Sequence, residues 1–319
     1  MKTKIILLIA TLGSTMPSIA VAQSGSLPKA KITAIVTDET GKPVERADVG
    51  ASGTLEPKTG EAIKGLTSTD GMFAAELRSN GEIGITAKKG GYYETSGPDY
   101  NFRNAPRAID RAFSTGQWEP WNATVAVTLK TIANPIPMYA RRVNRGVPVQ
   151  NEDLGFDMFV GDFVTPHGRG KTSDMIFRLE VTERTKKDYD YKLTVAFPNT
   201  ADGILPFNPT PHLQGSALRS PYSAPEKGFL PSWTVTRSRR PGSAESSNYD
   251  PEKRGYFFRI RSSVDKSGKI LSANYGKIYG DFMNFTYYLN PTPNDRNIEF
   301  DPKRNLFTNL KDDERVTAP

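Results

Sequence analysis

The sequence predicts an all-β fold made of two sandwich-like domains in tandem. Apolar residues recur at every second position in several short runs, for example at Phe177, Leu179 and Val181, which is typical of a strand with one buried face. Turn signals such as Asp70-Gly71 and Asn80-Gly81 follow or precede such runs. Segments with helical periodicity are scarce, so packed sheets are the architecture that buries these faces.

The first 22 residues have the composition of a secretory signal peptide. Lys2 and Lys4 precede the apolar run Ile5–Leu12, and Ala20-Val21-Ala22 supplies the small residues of a cleavage site. The run is too short to span a bilayer, which needs about 20 apolar residues. The sequence contains no cysteine, which excludes lipid attachment, disulfides and thiolate chemistry. We therefore expect cleavage near Ala22 and a secreted or periplasmic product without a transmembrane segment.

Residues 23–131 are expected to form the first domain, which is organised around the stretch Lys31–Leu77. Ile32, Ala34 and Val36 mark the buried face of its first strand. An Asp-Glu-Thr-Gly-Lys-Pro turn follows, and later a Thr-Ser-Thr-Asp-Gly-Met-Phe hairpin ends at Phe73. Two strands joined by a Gly-Pro turn and followed by a Thr-x-Asp-Gly-x-Phe hairpin resemble the carboxypeptidase regulatory-like domain, a small non-catalytic β-sandwich.

The resemblance implies a spacer or docking role, and the residues exclude the enzyme after which the domain is named. Zinc carboxypeptidases hold their metal with a His-x-x-Glu pair and a later histidine. The two histidines of this sequence, His167 and His212, are followed by Gly-Arg-Gly and by Leu-Gln-Gly. We therefore expect no metal, no cofactor and no carboxypeptidase activity.

The rest of the first domain contains an aromatic insert at residues 90–122. Strands are predicted over 72–77, 82–88 and 124–129, and one or two helical turns over Arg107–Phe113. The candidate ligand-binding residues of the insert are Tyr93, Tyr100, Trp118 and Trp121. Either these rings form an exposed platform for a sugar or another protein, or the insert packs against the second domain. The sequence leaves both interpretations open.

Residues 132–149 are predicted to be a stiff connector, because Pro135, Pro137 and Pro148 favour extended chain. Residues 150–319 then form the second β domain. Its first predicted strand, 155–164, is apolar on both faces, and further strands are predicted at 177–182, 191–197, 256–261, 269–281 and 283–289. Residues 210–255 are rich in Pro, Ser and Arg and are interpreted as a long, partly mobile loop, and residues 290–319 as a polar tail.

The second domain carries two candidate sites. Tyr275 and Tyr279 share one face of a predicted strand, where they either stack on a sugar or peptide or simply cover the sheet. A polar cluster in a Gly-rich loop consists of Asp162, His167, Arg169 and Asp174. If Asp162 orients His167 as a general base, the loop is a hydrolytic site. A second functional interpretation is that the loop holds an anionic ligand. The alternative is a surface hairpin whose charges pair with one another.

The charge distribution argues against nucleic acid as a partner. The formal net charge is +7, residues 23–131 carry equal numbers of acidic and basic side chains, and the modest excess in residues 132–319 is scattered. The leading hypothesis is an exported, non-catalytic binding or adhesion-type protein whose partner is a glycan or a cell-surface protein. The alternatives are a secreted hydrolase with its site around Asp162–Asp174 and a structural subunit of a surface assembly.

Overall fold

The computed structural model describes residues 27–53, 61–211 and 214–319, and it confirms the predicted all-β class. The predicted signal peptide and His212 lie outside the described residues. Two sandwiches follow one another along the chain, and each is closed around its own apolar core. Within the described ranges, no helix is long and apolar enough to cross a membrane.

The first sandwich is built from two sheets that face each other across buried side chains such as Ile32, Val49, Ile85 and Val125. One sheet has the strand order β4-β1-β8, with β8 parallel to β1, and the other has the order β3-β2-β5-β6, with β7 paired to β5. Its strands are β1 (Lys29–Asp38), β2 (Asp48–Gly53), β3 (Ala62–Leu66), β4 (Met72–Arg78), β5 (Glu82–Lys88), β6 (Thr95–Ser96), β7 (Tyr100–Asn101) and β8 (Ala123–Leu129).

Two turns of the first sandwich form where the sequence predicts them, at Asp38–Pro43 and at Asp70-Gly71. The Asp38 carboxylate accepts hydrogen bonds from the backbone N–H groups of Thr40 (2.8 Å) and Lys42 (3.0 Å). At Gly71, φ is +72° and an added Cβ would lie 2.4 Å from the carbonyl oxygen of Val36. Only glycine fits this position, because both the backbone conformation and the close approach exclude a side chain.

The aromatic insert contains a 3-10 turn (Phe102–Asn104) and the helix α1 (Ala108–Thr115), which confirms the helical turns predicted at Arg107–Phe113. Ala108 and Ala112 lie on the buried side of the helix, one turn apart. The helix ends at Gly116, which has φ +76° and whose N–H donates to the carbonyl of Ala112.

The second sandwich pairs a central sheet with an outer sheet. The central sheet has the strand order β14-β18-β19-β20-β9-β21, and the outer sheet has the order β11-β10-β12-β13-β16-β17. The strands of these two sheets are β9 (Ile136–Val143), β10 (Asp153–Asp157), β11 (Asp162–Phe163), β12 (Met175–Thr185), β13 (Asp188–Ala196), β14 (Gly203–Phe207), β16 (Ser232–Arg239), β17 (Ser246–Ser247), β18 (Gly255–Val264), β19 (Ile270–Gly280), β20 (Phe285–Leu289) and β21 (Phe300–Asn305), with a 3-10 turn at Asp312–Glu314. The short strand β15 (Gly215–Ser216) lies between β14 and β16 in the chain but belongs to a sheet of the first sandwich, where it pairs with β6.

The central sheet is buried on both faces. Phe258 and Ile278 point towards the outer sheet and form one core with it. On the opposite face, Phe257, Tyr275 and Tyr288 pack under residues 214–230 and the C-terminal segment, which contribute a second cluster. A sheet covered on both sides explains why its strands are apolar at successive positions.

The interpretation of residues 132–149 as a connector is wrong, because Ile136–Val143 is a strand inside the central sheet. Met138 and Ala140 are fully buried there. Pro137 is tolerated, since β9 pairs with β20 only from Tyr139 to Val143 and the proline lies beyond that ladder. The chain therefore enters the second sandwich a few residues after leaving the first.

The predictions of a long loop at residues 210–255 and of a polar tail at residues 290–319 are also wrong in part, because both segments contain strands. Ser232–Arg239 forms β16, which pairs with β13 over its whole length and buries Val235. In the presumed tail, Ile298 and Phe300 are fully buried, and β21 pairs with β9. Both segments have few apolar residues, yet each is ordered by backbone pairing along an existing strand.

Residues 155–164 form a hairpin and not the single strand that the apolar run predicts. β10 ends at Asp157, the chain reverses through Gly161 (φ +70°), and β11 returns beside β10. The Asp157 carboxylate fixes the reversal by accepting hydrogen bonds from the N–H groups of Phe159 (3.1 Å) and Val160 (3.2 Å).

Candidate functional site

Trp118 is not part of an exposed platform, because its side chain is fully buried in the first core. Its indole N–H donates to the carbonyl of Ser79 (2.9 Å). Tyr100 is half-buried and contacts Phe102 edge-on, with ring centroids 4.7 Å apart. Trp121 is half-buried as well. The insert aromatics therefore do not form one continuous surface, and the platform interpretation is wrong for Trp118.

Tyr93 lies at the contact between the two sandwiches, as the second interpretation of the insert requires. Its hydroxyl donates a hydrogen bond to the buried carboxylate of Glu299 (2.7 Å). The same carboxylate accepts the backbone N–H groups of Ala133 (2.9 Å) and Asn134 (2.6 Å). Burial raises the pKa of Tyr93, and the negative charge of Glu299 raises it further, so the hydroxyl stays protonated and donates.

Residues 214–222 join the sandwiches at a second place. β15 pairs antiparallel with β6 and so extends a sheet of the first sandwich. The Lys130 ammonium donates to the carbonyl of Ser220 (2.9 Å). The Tyr222 hydroxyl lies 2.6 Å from a carboxylate oxygen of Glu39 and 2.7 Å from the carbonyl oxygen of Thr131. The contact is therefore polar and made by several elements.

Lys277 is fully buried on β19 beneath this segment. Its Nζ atom lies 3.0 Å from the hydroxyl oxygen of Ser220 and 4.7 Å from the centroid of the Tyr288 ring. Burial lowers the pKa of Lys277 to about 7; the charge of Lys130 lowers it and that of Glu299 raises it. Sequence reasoning missed this residue, although its position between Tyr275 and Tyr279 on the same face indicated burial.

Tyr275 and Tyr279 do share one face of a strand, but neither ring is an open stacking surface. The guanidinium of Arg219 covers the ring of Tyr279, with its carbon 5.1 Å from the ring centroid. Tyr275 is buried except at its edge, which borders a groove beside the ring of Phe229, and the two ring centroids are 6.3 Å apart.

The polar cluster predicted in the Gly-rich loop is a tightly bonded hairpin. Asp162 accepts hydrogen bonds from the backbone N–H groups of Phe163 (3.0 Å) and Arg169 (3.3 Å) and pairs with the Arg169 side chain (3.4 Å). His167 is exposed, and no hydrogen bond joins it to Asp162 among the described residues. The orientation that a general base needs is therefore missing in this arrangement.

Asp174 belongs to a different part of this region, where it pairs with Arg261. The distance from the Arg261 Nε to a carboxylate oxygen of Asp174 is 2.7 Å, and Asp174 also accepts the N–H of Met158 (2.9 Å). Burial raises the pKa of Asp174, and the bonds from Arg261 oppose this shift. Arg261 reaches Asp157 as well (3.3 Å) and stacks on Phe159, with its guanidinium carbon 4.1 Å from the ring centroid. These groups tie the outer sheet to the central one.

A groove of about 930 Å³ is open on the face of the central sheet that residues 214–230 partly cover. Four separate segments line it: residues 200–201, residues 226–229, the turn 267–270 between β18 and β19, and residues 294–296, together with Arg259 and Tyr275. Phe229 and Ile270 are half-buried against the core and give the groove an apolar wall. Of the residues that line this groove, only Tyr275 was a candidate binding residue in the sequence analysis.

Two arginines are held in fixed positions in the groove. Arg259 donates through Nε (2.8 Å) and Nη2 (2.6 Å) to the carbonyl of Ala201 and through Nη1 to that of Glu226 (3.0 Å). Its guanidinium stacks on Phe229, 4.8 Å from the ring centroid. Arg296 donates to the carbonyl of Ala224 (2.8 Å) and pairs with the Glu226 carboxylate (3.1 Å).

No group of three or more His, Cys, Asp or Glu side chains suited to a metal ion occurs in the described ranges 27–53, 61–211 and 214–319. The groove is the candidate site, and its features are its concave shape, the apolar wall of Phe229 and Ile270, and its basic side chains.

Comparison with known proteins identifies no family. No family model and no curated protein matches the chain. A DUF3823 family protein from Parabacteroides merdae is 10% identical, with 86% of this chain and 100% of that chain covered and a TM-score of 0.22. A putative carbohydrate binding protein from Bacteroides uniformis is 8% identical, with 84% of this chain and 99% of that chain covered and a TM-score of 0.20. BcpA, the major pilin subunit of Bacillus cereus, is 12% identical, with 87% of this chain and 97% of that chain covered and a TM-score of 0.24.

Proposed function

We propose that the protein is an exported binding protein without catalytic activity, and that the groove of the second sandwich holds its ligand, a saccharide of a cell-surface molecule. The observation that carries this proposal is the groove itself. Its volume of about 930 Å³ lies in the range of small-molecule sites, about 300–1,000 Å³. Apolar wall residues and fixed N–H donors converge there, which suits a ligand with both apolar ring faces and polar groups.

The polar hairpin supports the absence of catalysis. The carboxylates of Asp157, Asp162 and Asp174 each accept backbone N–H groups and pair with an arginine. A general base needs an oxygen or nitrogen that faces a bound substrate. The cavity beside Asp162 measures about 10 Å³, which is about the space of one water.

The first sandwich is proposed to act as a spacer that presents the groove at a fixed orientation. The bond from Tyr93 to Glu299 and the pairing of β15 with β6 support this role, because both restrain the angle between the sandwiches. Only a few residues separate Leu129 from Ile136, so these contacts and not the linker length are what restrain the orientation.

A glycan array probed with the mature chain tests the proposal. The variant Thr200→Trp places a bulky ring in the groove from an exposed position, so it should abolish binding without unfolding the protein. The control Thr124→Trp adds the same ring at an exposed position of β8 and should bind as the wild type does. Binding that survives Thr200→Trp would place the ligand elsewhere, and an array without any bound glycan would contradict the proposal.

A further inference from the structure

The basic side chains of the groove outnumber its acidic ones. Lys227, Arg259, Lys269 and Arg296 line it, against the single carboxylate of Glu226. Four basic side chains against one carboxylate give the lining of this concave surface a net charge of +3, whereas the described part of the first sandwich has no comparable excess. A concave site with walls of low dielectric constant strengthens the field of such charges and attracts anions.

Arg259 is prepared to bind an anion. An arginine carries five N–H donors, and the three bonds to Ala201 and Glu226 leave two of them for a ligand. Because these bonds and the stacking on Phe229 already fix the guanidinium, little side-chain entropy is lost when a ligand binds.

Lys227 and Lys269 lie on two different segments that border the groove, and both are exposed. In the described part of the chain, neither ammonium group makes a hydrogen bond or ion pair with another side chain. The Glu226 carboxylate pairs with Arg296 at the surface, where its side chain is 68% exposed, so it does not neutralise the lysines. Several positive charges therefore remain for a ligand.

We infer that the ligand of this groove is an acidic saccharide, whose carboxylate or sulfate groups bind Arg259, Lys227 and Lys269 while its ring faces contact Phe229 and Ile270. This inference rests on the proposed function. Nucleic acid fits less well, because the basic residues line a bounded groove and not an extended stripe along which a phosphate backbone could run.

The test compares oligogalacturonate with the same oligosaccharide after methyl esterification, which removes the charges and keeps the sugar rings. The acidic form should bind to the mature protein and weaken as salt is added, and the ester should bind at least about tenfold less tightly. The double variant Lys227→Gln/Lys269→Gln should weaken binding of the acidic form about three- to tenfold. The control Lys186→Gln/Lys187→Gln lies in the exposed turn between β12 and β13, at the opposite end of β13 from Thr200, and should bind as the wild type does.

Each other outcome has a distinct meaning. Equal, salt-independent binding of ester and acid, blocked by Thr200→Trp, would overturn the acidic ligand and leave the proposed function standing. Tighter binding of a single-stranded oligonucleotide than of the acidic saccharide would overturn the saccharide. Binding of the acidic form that Lys227→Gln/Lys269→Gln does not weaken would overturn the assigned contacts. If neither oligogalacturonate, nor its methyl ester, nor any glycan of the array binds to the protein, the proposed function itself is wrong.

Discussion

Replacing Lys277 with methionine should remove a dependence of stability on pH that arises between about pH 7 and pH 10.5 in the interior of the second sandwich. The Lys277 side chain is fully buried between β19 and residues 214–222, and its pKa is lowered from 10.5 to about 7. Methionine has a similar length, fills irregular space well and carries no charge. The substitution therefore removes the titration and keeps most of the packing.

The magnitude follows from the two pKa values of the lysine. Between about pH 7 and pH 10.5, the unfolded chain holds a proton at Lys277 that the folded protein does not hold. In this window, the free energy of unfolding rises with pH by about 1.4 kcal/mol per unit. From about pH 7 to about pH 9.5, the wild type should thus gain about 3 kcal/mol relative to Lys277→Met. Below about pH 6 the lysine is protonated in both states, so the difference should be constant.

Urea denaturation of the mature protein at a series of pH values, followed by tryptophan fluorescence, measures this difference. The control Lys186→Met removes an exposed lysine and should parallel the wild type. Buried tyrosines with raised pKa values, such as Tyr287 and Tyr288, are present in all three proteins, so their contribution cancels in the comparison. Parallel pH profiles for Lys277→Met and the wild type would show that Lys277 is charged in the folded protein and would refute the reasoning.

Three further predictions concern the first sandwich and export. Trp118→Ala should lower the free energy of unfolding by about 3–5 kcal/mol without changing ligand binding, since the ring is buried in the core; a loss below about 0.5 kcal/mol in urea denaturation would indicate an exposed ring. Tyr93→Phe should cost about 1.5–3 kcal/mol by leaving the Glu299 carboxylate without this donor and should speed proteolysis near residues 131–134; unchanged stability and digestion would contradict the contact. The intact mass of the protein from its native host should match a chain that starts near Gln23, and a product that starts at Met1 would contradict export.

Strands whose two faces differ in polarity could be predicted from the sequence. β12 and β13 alternate between buried and more accessible residues, and the predicted runs at 177–182 and 191–197 lie within or overlap them. Local side-chain chemistry made several turns predictable too, as at Asp38, which accepts the N–H groups of Thr40 (2.8 Å) and Lys42 (3.0 Å).

Strands that depend on partners distant in sequence could not be predicted. β16 buries Val235 in the core but has few other apolar residues, and its order comes from the ladder with β13. In β9, Pro137 concealed a strand because a proline normally indicates a break. Trp118 could not be placed either, because aromatic density does not distinguish a platform from a core. An added Cβ at Gly81 would lie 2.8 Å from the Trp118 ring, so the glycine admits the ring into the core.

The candidate groove was the least predictable feature. Its basic residues come from separate segments, with Lys227 and Arg296 nearly seventy positions apart in a sequence whose charges look scattered. Only folding brings them to one face of the central sheet. Tyr275 was the single lining residue with a recognisable signal, because it lies next to a glycine and shares a strand face with Tyr279.

Hydrogen–deuterium exchange of the mature protein, with and without the saccharide that binds best, tests most directly whether the groove is the binding site. If the groove is the binding site, exchange should become slower on binding in residues 224–230, 265–271 and 292–296, which contain or border its lining. Slower exchange confined to the aromatic insert at 90–122 or to the hairpin at 162–174 would contradict it.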